Sequence, residues 1–172
     1  EDTIGRLLRF VSINLPPETN LVDCAVASCE VDFKEYEILD IGKVAGMREA
    51  RIGERIFKFG RTTGLTQSTL FDDRAVIKVW GYYSPDTYAI FEDQLISSTA
   101  FMQAGDSGSI WIGEDNRIIG LGFAGSDTLS CANKITNVAD LLNIEIPKVV
   151  EMRVPILLGL ALIPNLYLMW KK

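Results

Sequence analysis

Turn-forming residues cut the sequence between Glu54 and Gly125 into short pieces, and this limits the fold more than any other feature. The pieces "ERIFKFG", "TYAIFEDQLISS", "GSIWIG" and "RIIGLGFAG" alternate or run apolar over lengths that suit strands. "STLFDDRAVIKVWGYY" holds two further alternating pieces. Clusters such as "YYSPD" and "GEDNR" supply the turns. Many short strands joined in this way predict an all-β barrel or sandwich. Upstream, "VDCAVASCEV" is apolar without helical period and reads as a buried strand. One helix is expected, over "ITNVADLLNI", with Val138, Leu141 and Leu142 on one face and Thr136 or Asn137 as its cap. There is no fixed-period repeat.

Composition narrows the function classes. A chain of 172 residues that is 48% hydrophobic can bury a real core within one ordinary domain. Its net charge of −6 argues against non-specific nucleic-acid binding, and no glycine-rich phosphate loop is present. Three cysteines (Cys24, Cys29 and Cys131) lack C-x-x-C spacing, and the chain has no histidine, so no metal site is expected. The cysteines read either as free, buried thiols or as one disulfide with a thiol left over.

The most chemically suggestive stretch is "FMQAGDSGSI", with Ser107 inside Gly-Asp-Ser-Gly. A serine nucleophile needs a base within hydrogen-bond reach, a group that orients the base, and N–H groups aimed at the developing oxyanion. Gly105 permits backbone dihedrals that turn its own N–H and that of Ser107 into one hole, and Gly108 permits close approach of substrate. The same residues also suit a plain turn between strands.

Further stretches carry a resemblance. "FKFGRTTGLTQS" is followed by "FEDQL", then "GDSGS", then "RIIGLGFAGS", and "NLVDCAVA" precedes them all. In this order they resemble the trypsin-like serine peptidases of double β-barrel fold, in particular the subfamily with a G-R-T-T-G-x-T segment. The resemblance runs from about Glu1 to Ile146. It implies Ser107 as nucleophile, Asp23 as the aspartate that orients an imidazole, and the N–H groups of Gly105 and Ser107 as oxyanion hole. It places Gly122, Phe123, Ala124 and Gly125 along the specificity pocket, with Phe101, six residues before Ser107, at its floor. An apolar floor disfavours a basic P1 residue. No cofactor is implied. Asp106 reads better as a structural ion-pair or hydrogen-bond partner, and Arg61, Thr62 and Thr63 as hairpin-turn residues.

The pattern departs from the family at the base. Trypsin-like peptidases carry their histidine upstream of the aspartate, and the opening residues resemble the end of a first barrel. The expected domains are a remnant of that barrel over 1–40, a complete second barrel with the short helix over 41–146, and an apolar tail over 147–172. The missing histidine is expected to come from an N-terminal segment or separate chain, cut away before Glu1. The chain alone should be inactive. The tail is uncharged from Val154 to Trp170, near the short end of the ~17–25 residues that span a bilayer. It reads as a membrane anchor with the globular part outside the cytoplasm, as a segment packed on another chain, or as one folded on this barrel. The alternative to a peptidase acting on peptide or protein substrates is an inactive, peptidase-like assembly protein that uses this tail for attachment.

Overall fold

The computed structural model describes residues 3–146. The expected membrane segment at 154–170 lies outside the described residues. Among those described, no helix is long and apolar enough to cross a membrane. The elements in chain order are β1 (Leu7–Phe10), β2 (Thr19–Asn20), β3 (Ala25–Ala27), β4 (Glu37–Ile38), β5 (Gly42–Lys43), β6 (Arg55–Gly60), β7 (Gly64–Trp80), β8 (Tyr88–Ser97), β9 (Ile110–Gly113), β10 (Ile118–Gly125), β11 (Ser130–Lys134) and α1 (Ile135–Leu142).

Six strands close into an antiparallel barrel in the order β11-β10-β9-β6-β7-β8, and β8 returns to β11 through the pairs Ile96↔Cys131, Leu95↔Ala132 and Gln94↔Asn133. Closure satisfies the backbone groups that an open sheet would leave at its edges. Alternation puts Ile56, Lys58 and Gly60 of β6 inward. The interior is filled by Ile56, Leu70, Leu95, Phe101, Trp111 and Ile119. Trp111 is fully buried, packs at a tilt against Phe101 with 4.8 Å between ring centroids, and donates its Nε1–H to Met102 Sδ at 3.2 Å. Burial of each large side chain here contributes about 1.5–3 kcal/mol.

A second cluster, including Val22, Cys24, Val44, Ile112, Ile118 and Val138, joins the barrel wall to α1 and the N-terminal segment. The helix buries Ile135, Val138, Ala139 and Leu142, the i, i+3, i+4, i+7 face. Leu141, expected on that face, is 49% exposed because it falls a quarter-turn from Leu142. Neither Thr136 nor Asn137 caps the helix. The N-cap is Lys134, with no side-chain cap bond, and Asn137 Nδ2 donates to Asp93 instead. The helix starts directly after β11, so the N-cap position falls on the last strand residue, Lys134, whose side chain donates to Asp93 and has no oxygen with which to cap.

Two expectations change in extent, and one strand is unexpected. The stretch 22–31 forms only the three-residue strand β3, whose own residues are exposed or half-buried, and its burial is confined to Val22 and Cys24 just before that strand. The two pieces expected in 68–83 are one strand, β7, of 17 residues. Its register against β8 shifts between Leu70 and Ile77 in three places, and these bulges bend the hairpin without ending it. The strand β11 carries too few large apolar residues to stand out in sequence, and barrel closure is what makes it a strand.

Beyond the bulges the β7–β8 hairpin leaves the barrel and meets the N-terminal segment. There β8 pairs in parallel with β2 through Ile90↔Thr19 and Phe91↔Asn20. Strand β1 pairs with β3 in a separate ribbon, and Leu7, Leu8 and Phe10 of β1 are each more than 60% exposed. All three cysteines are free: Cys24 and Cys131 are buried and Cys29 is exposed.

Candidate functional site

Ser107 lies in the loop between β8 and β9, exposed, with its Oγ donating a long hydrogen bond of 3.4 Å to the Phe123 carbonyl. The residue before it holds the loop in place. Asp106 is 1% exposed and accepts from Thr62 N–H (2.7 Å), Thr63 N–H (3.1 Å), Thr63 Oγ1 (2.7 Å), Gln103 N–H (3.0 Å) and Lys58 Nζ (3.1 Å). Lys58 Nζ also donates to the Gly64 carbonyl at 3.2 Å and to Thr63 Oγ1, so its three donors are all used. Burial alone would push the Asp106 carboxyl up. The hydrogen bonds from Thr63, Gln103 and Thr62 more than offset this and hold it well below the usual carboxylate range.

The G-R-T-T-G segment therefore has a structural purpose. Gly60 and Gly64 pair across the β6–β7 turn, and Arg61, Thr62 and Thr63 form that turn, as expected. The turn presents two N–H groups and a hydroxyl to Asp106. A Cβ at Gly60 would strike the Asp106 carboxylate. Gly105 has φ +97°, and a Cβ there would strike Thr62 Oγ1. These two glycines let the turn and the serine loop interlock. The N–H groups of Gly105 and Ser107 have no acceptor among the described residues, whereas Asp106 N–H is spent on the Gln103 carbonyl at 2.9 Å. A loop that is fixed yet leaves two N–H groups free at an exposed hydroxyl can offer both to an incoming oxygen.

Beside Ser107 is a cleft of about 690 Å³. Phe101, Phe123, Ala124 and Gly125 line it together with Ser107. Gly122 does not. Its backbone pairs with Gly108 and Ser109, and the space a Cβ would take is occupied by Met102 Sδ and Trp111 Nε1, so it faces the core. The register of β10 against β11 shifts between Gly122 and Ala124, and this bulge breaks the alternation, so Phe123, Ala124 and Gly125 all reach the cleft while Gly122 does not. Thr66, Gln103 and Asp127 also line the cleft and escaped sequence reasoning.

Asp23 is placed by a second network. Gln94, fully buried, donates to the Leu21 carbonyl at 2.8 Å and accepts from Asn133 Nδ2 at 2.8 Å. Asn133 Oδ1 in turn accepts the Asp23 N–H at 3.1 Å. The Asp23 carboxylate accepts from Tyr82 Oη at 2.5 Å. It does not line the cleft. It borders a smaller pocket of about 280 Å³ with Phe10, Ile13, Cys24 and Tyr83. Two tilted aromatic contacts bridge the two places: Tyr82 against Phe91 at 5.6 Å and Phe91 against Phe123 at 4.9 Å between ring centroids.

No protein family matches the chain, and no curated protein does. Solved structures do. The Nocardiopsis protease NAPase superposes with a TM-score of 0.64 at 19% identity, over 83% of this chain and 73% of that one. A glutamic acid specific serine protease gives 0.59 at 17% identity, over 84% and 74%. Thermobifida fusca protease A gives 0.53 at 17% identity, over 64% of this chain. The chain spans 58% of the length of that protease and 56% of Cellulomonas bogoriensis chymotrypsin. At these identities the likeness is one of fold, and the chain has the mostly β fold of the chymotrypsin-like serine proteases.

Proposed function

We propose that this chain is the serine-bearing part of a trypsin-like endopeptidase, with Ser107 as nucleophile and Asp23 orienting a histidine that this sequence does not contain. The observation that carries the reading is the pair of unpartnered N–H groups, Gly105 and Ser107, on a loop otherwise fixed through Asp106. In the reaction, Ser107 Oγ bonds to the scissile carbonyl carbon as its proton passes to the imidazole. The C–N bond then breaks and the leaving amine takes that proton. Water cleaves the resulting ester, the imidazole again relaying the proton. The Gly105 and Ser107 N–H groups stabilise the carbonyl oxygen while it carries negative charge.

The histidine is proposed to arrive on an N-terminal segment or a second chain packed against β1. Successive residues of a strand face opposite ways, so Leu7 and Leu8 leave both faces of β1 apolar and bare. The 172 residues contain no histidine to substitute. The 147–172 tail is proposed to attach the protein to a membrane or a partner, outside the chemistry.

The test is fluorophosphonate labelling of the native protein, with intact mass and N-terminal sequencing of every chain recovered. Labelling at Ser107, abolished in Ser107→Ala, alongside a histidine-bearing fragment supports the reading. Absence of label from the native protein sinks it and favours the inactive assembly protein. Asp23→Asn should slow hydrolysis by about 10³–10⁴-fold with the fold intact.

A further inference from the structure

We propose that Tyr82 is a positioning residue for the site just described: its phenol fixes the Asp23 carboxylate so that one oxygen alone is left to orient the base. The inference rests on the proposed peptidase reading and extends it to a residue on a different element, the tip of the β7–β8 hairpin.

The contact is a 2.5 Å hydrogen bond from Tyr82 Oη to Asp23 Oδ2. Among the described residues no other side chain donates to that carboxylate, since Asn133 accepts from the Asp23 backbone instead. Oδ1 is therefore the oxygen without a partner, in a residue that borders the 280 Å³ pocket. The carboxylate is otherwise free to turn about its own side-chain bonds, and one strong charge-assisted hydrogen bond removes that freedom. A second phenol secures the hairpin: Tyr83 Oη donates to the Ile13 carbonyl at 2.8 Å. The tip itself is set by two positive-φ residues on either side of Tyr82, Gly81 at +96° and Tyr83 at +61°. Tyr83 spends an unfavourable backbone conformation to hold that turn. Burial, then the hydrogen bond to Asp23 and its charge, push the Tyr82 phenol far above its ordinary range, so it stays a donor throughout the physiological range.

The contact also reaches the cleft. Tyr82 packs at a tilt against Phe91, Phe91 likewise against Phe123, and the Phe123 carbonyl accepts from Ser107 Oγ. The hairpin tip thus ties the aspartate of the N-terminal segment to the strand that borders the serine.

Tyr82→Phe separates positioning from packing, because the ring stays on Phe91 and only the donor is lost. The measurement is kcat, KM and the pH profile of peptide hydrolysis by the native protein carrying this substitution, with the fluorophosphonate labelling rate of Ser107 in parallel. We expect kcat to fall about ten- to hundredfold with KM little changed. The acid limb of kcat/KM should move to higher pH, because a carboxylate without the phenol interacts more strongly with an imidazolium. A packing role alone moves neither. If the unaltered protein labels and hydrolyses while Tyr82→Phe matches it in rate and acid limb, the positioning role is overturned and the peptidase reading stands. If the unaltered protein does not label at all, both fall.

Discussion

Lys58 Nζ sits 3.1 Å from Asp106 Oδ2, and neither side chain exposes any surface to solvent. The pair lies one residue from Ser107, and its further partners come from the β6–β7 turn and from Gln103. A buried ion pair is weak evidence for net stability, because desolvation offsets much of the attraction. Its value here is geometric: it decides where the serine loop rests.

Removal of one member should therefore cost far more than the pair contributes. Lys58→Met leaves Asp106 charged and buried, for a loss of about 3–5 kcal/mol in urea unfolding. Replacing both members with apolar residues should not recover the loss, since Gln103, Thr62 and Thr63 would still point three N–H groups at the vacated carboxylate. A Lys58→Met change under about 1 kcal/mol would show that the loop has another support.

Acid should unfold the chain through the same residue. The folded Asp106 carboxyl lies below its ordinary value of 3.8, so its contribution is fully present above that value and is lost as pH falls beneath it. Asp115, held down first by its Arg48 hydrogen bonds, contributes to the same limb. Tryptophan fluorescence followed from about pH 5 to about pH 2 should show stability declining steadily in the parent and less steeply in Asp106→Asn. Equal slopes would remove Asp106 from the acid transition.

At Gly105 a methyl group should disturb chemistry and stability together. Gly105→Ala places a Cβ against Thr62 Oγ1 at a backbone angle of +97°. We expect about 1–3 kcal/mol of destabilisation and at least a tenfold slower reaction of Ser107 with fluorophosphonate. Unchanged labelling would mean that the Gly105 N–H is not offered to the incoming oxygen.

Thiol reagents should find one cysteine of three in the folded protein. Cys29 is exposed, whereas burial pushes the Cys24 and Cys131 thiols up to about 11. Titration with a chromogenic disulfide at neutral pH should give one equivalent rapidly and the remaining two only in denaturant. Rapid reaction of two or more would contradict the burial of Cys24 or Cys131.

Much of this was legible in the residues. Alternation and turn chemistry mark out β6, β8, β9 and β10 because each has one face inside the barrel. The G-D-S-G stretch marks a loop because its glycines suit backbone that side chains avoid, and Gly105 and Gly108 indeed have positive φ. What escaped was tertiary. Lys58 reads in isolation as a surface lysine with no visible link to Ser107. Yet it shares the inward face of β6 with Ile56 and Gly60, and that period-two pattern was the available signal. Asn133 and Tyr82 are ordinary polar residues until barrel closure and the bent hairpin bring them to Asp23. Resemblance places Gly122 at the cleft, whereas its position just before the β10 bulge turns it toward Met102 and Trp111, a break in period that no residue type announces.

The interlock of Gly60 and Gly105 bears on how such a chain can diverge. Each lies against the side chain of a residue on the opposing segment, so neither can drift without a matching change across the contact. The cleft lining is freer, because Gln103, Ser126 and Asp127 are exposed and fill no core. Substitutions can therefore reshape the groove while the serine loop stays where it is, so the wall of the cleft and its anchor are free to change at different rates.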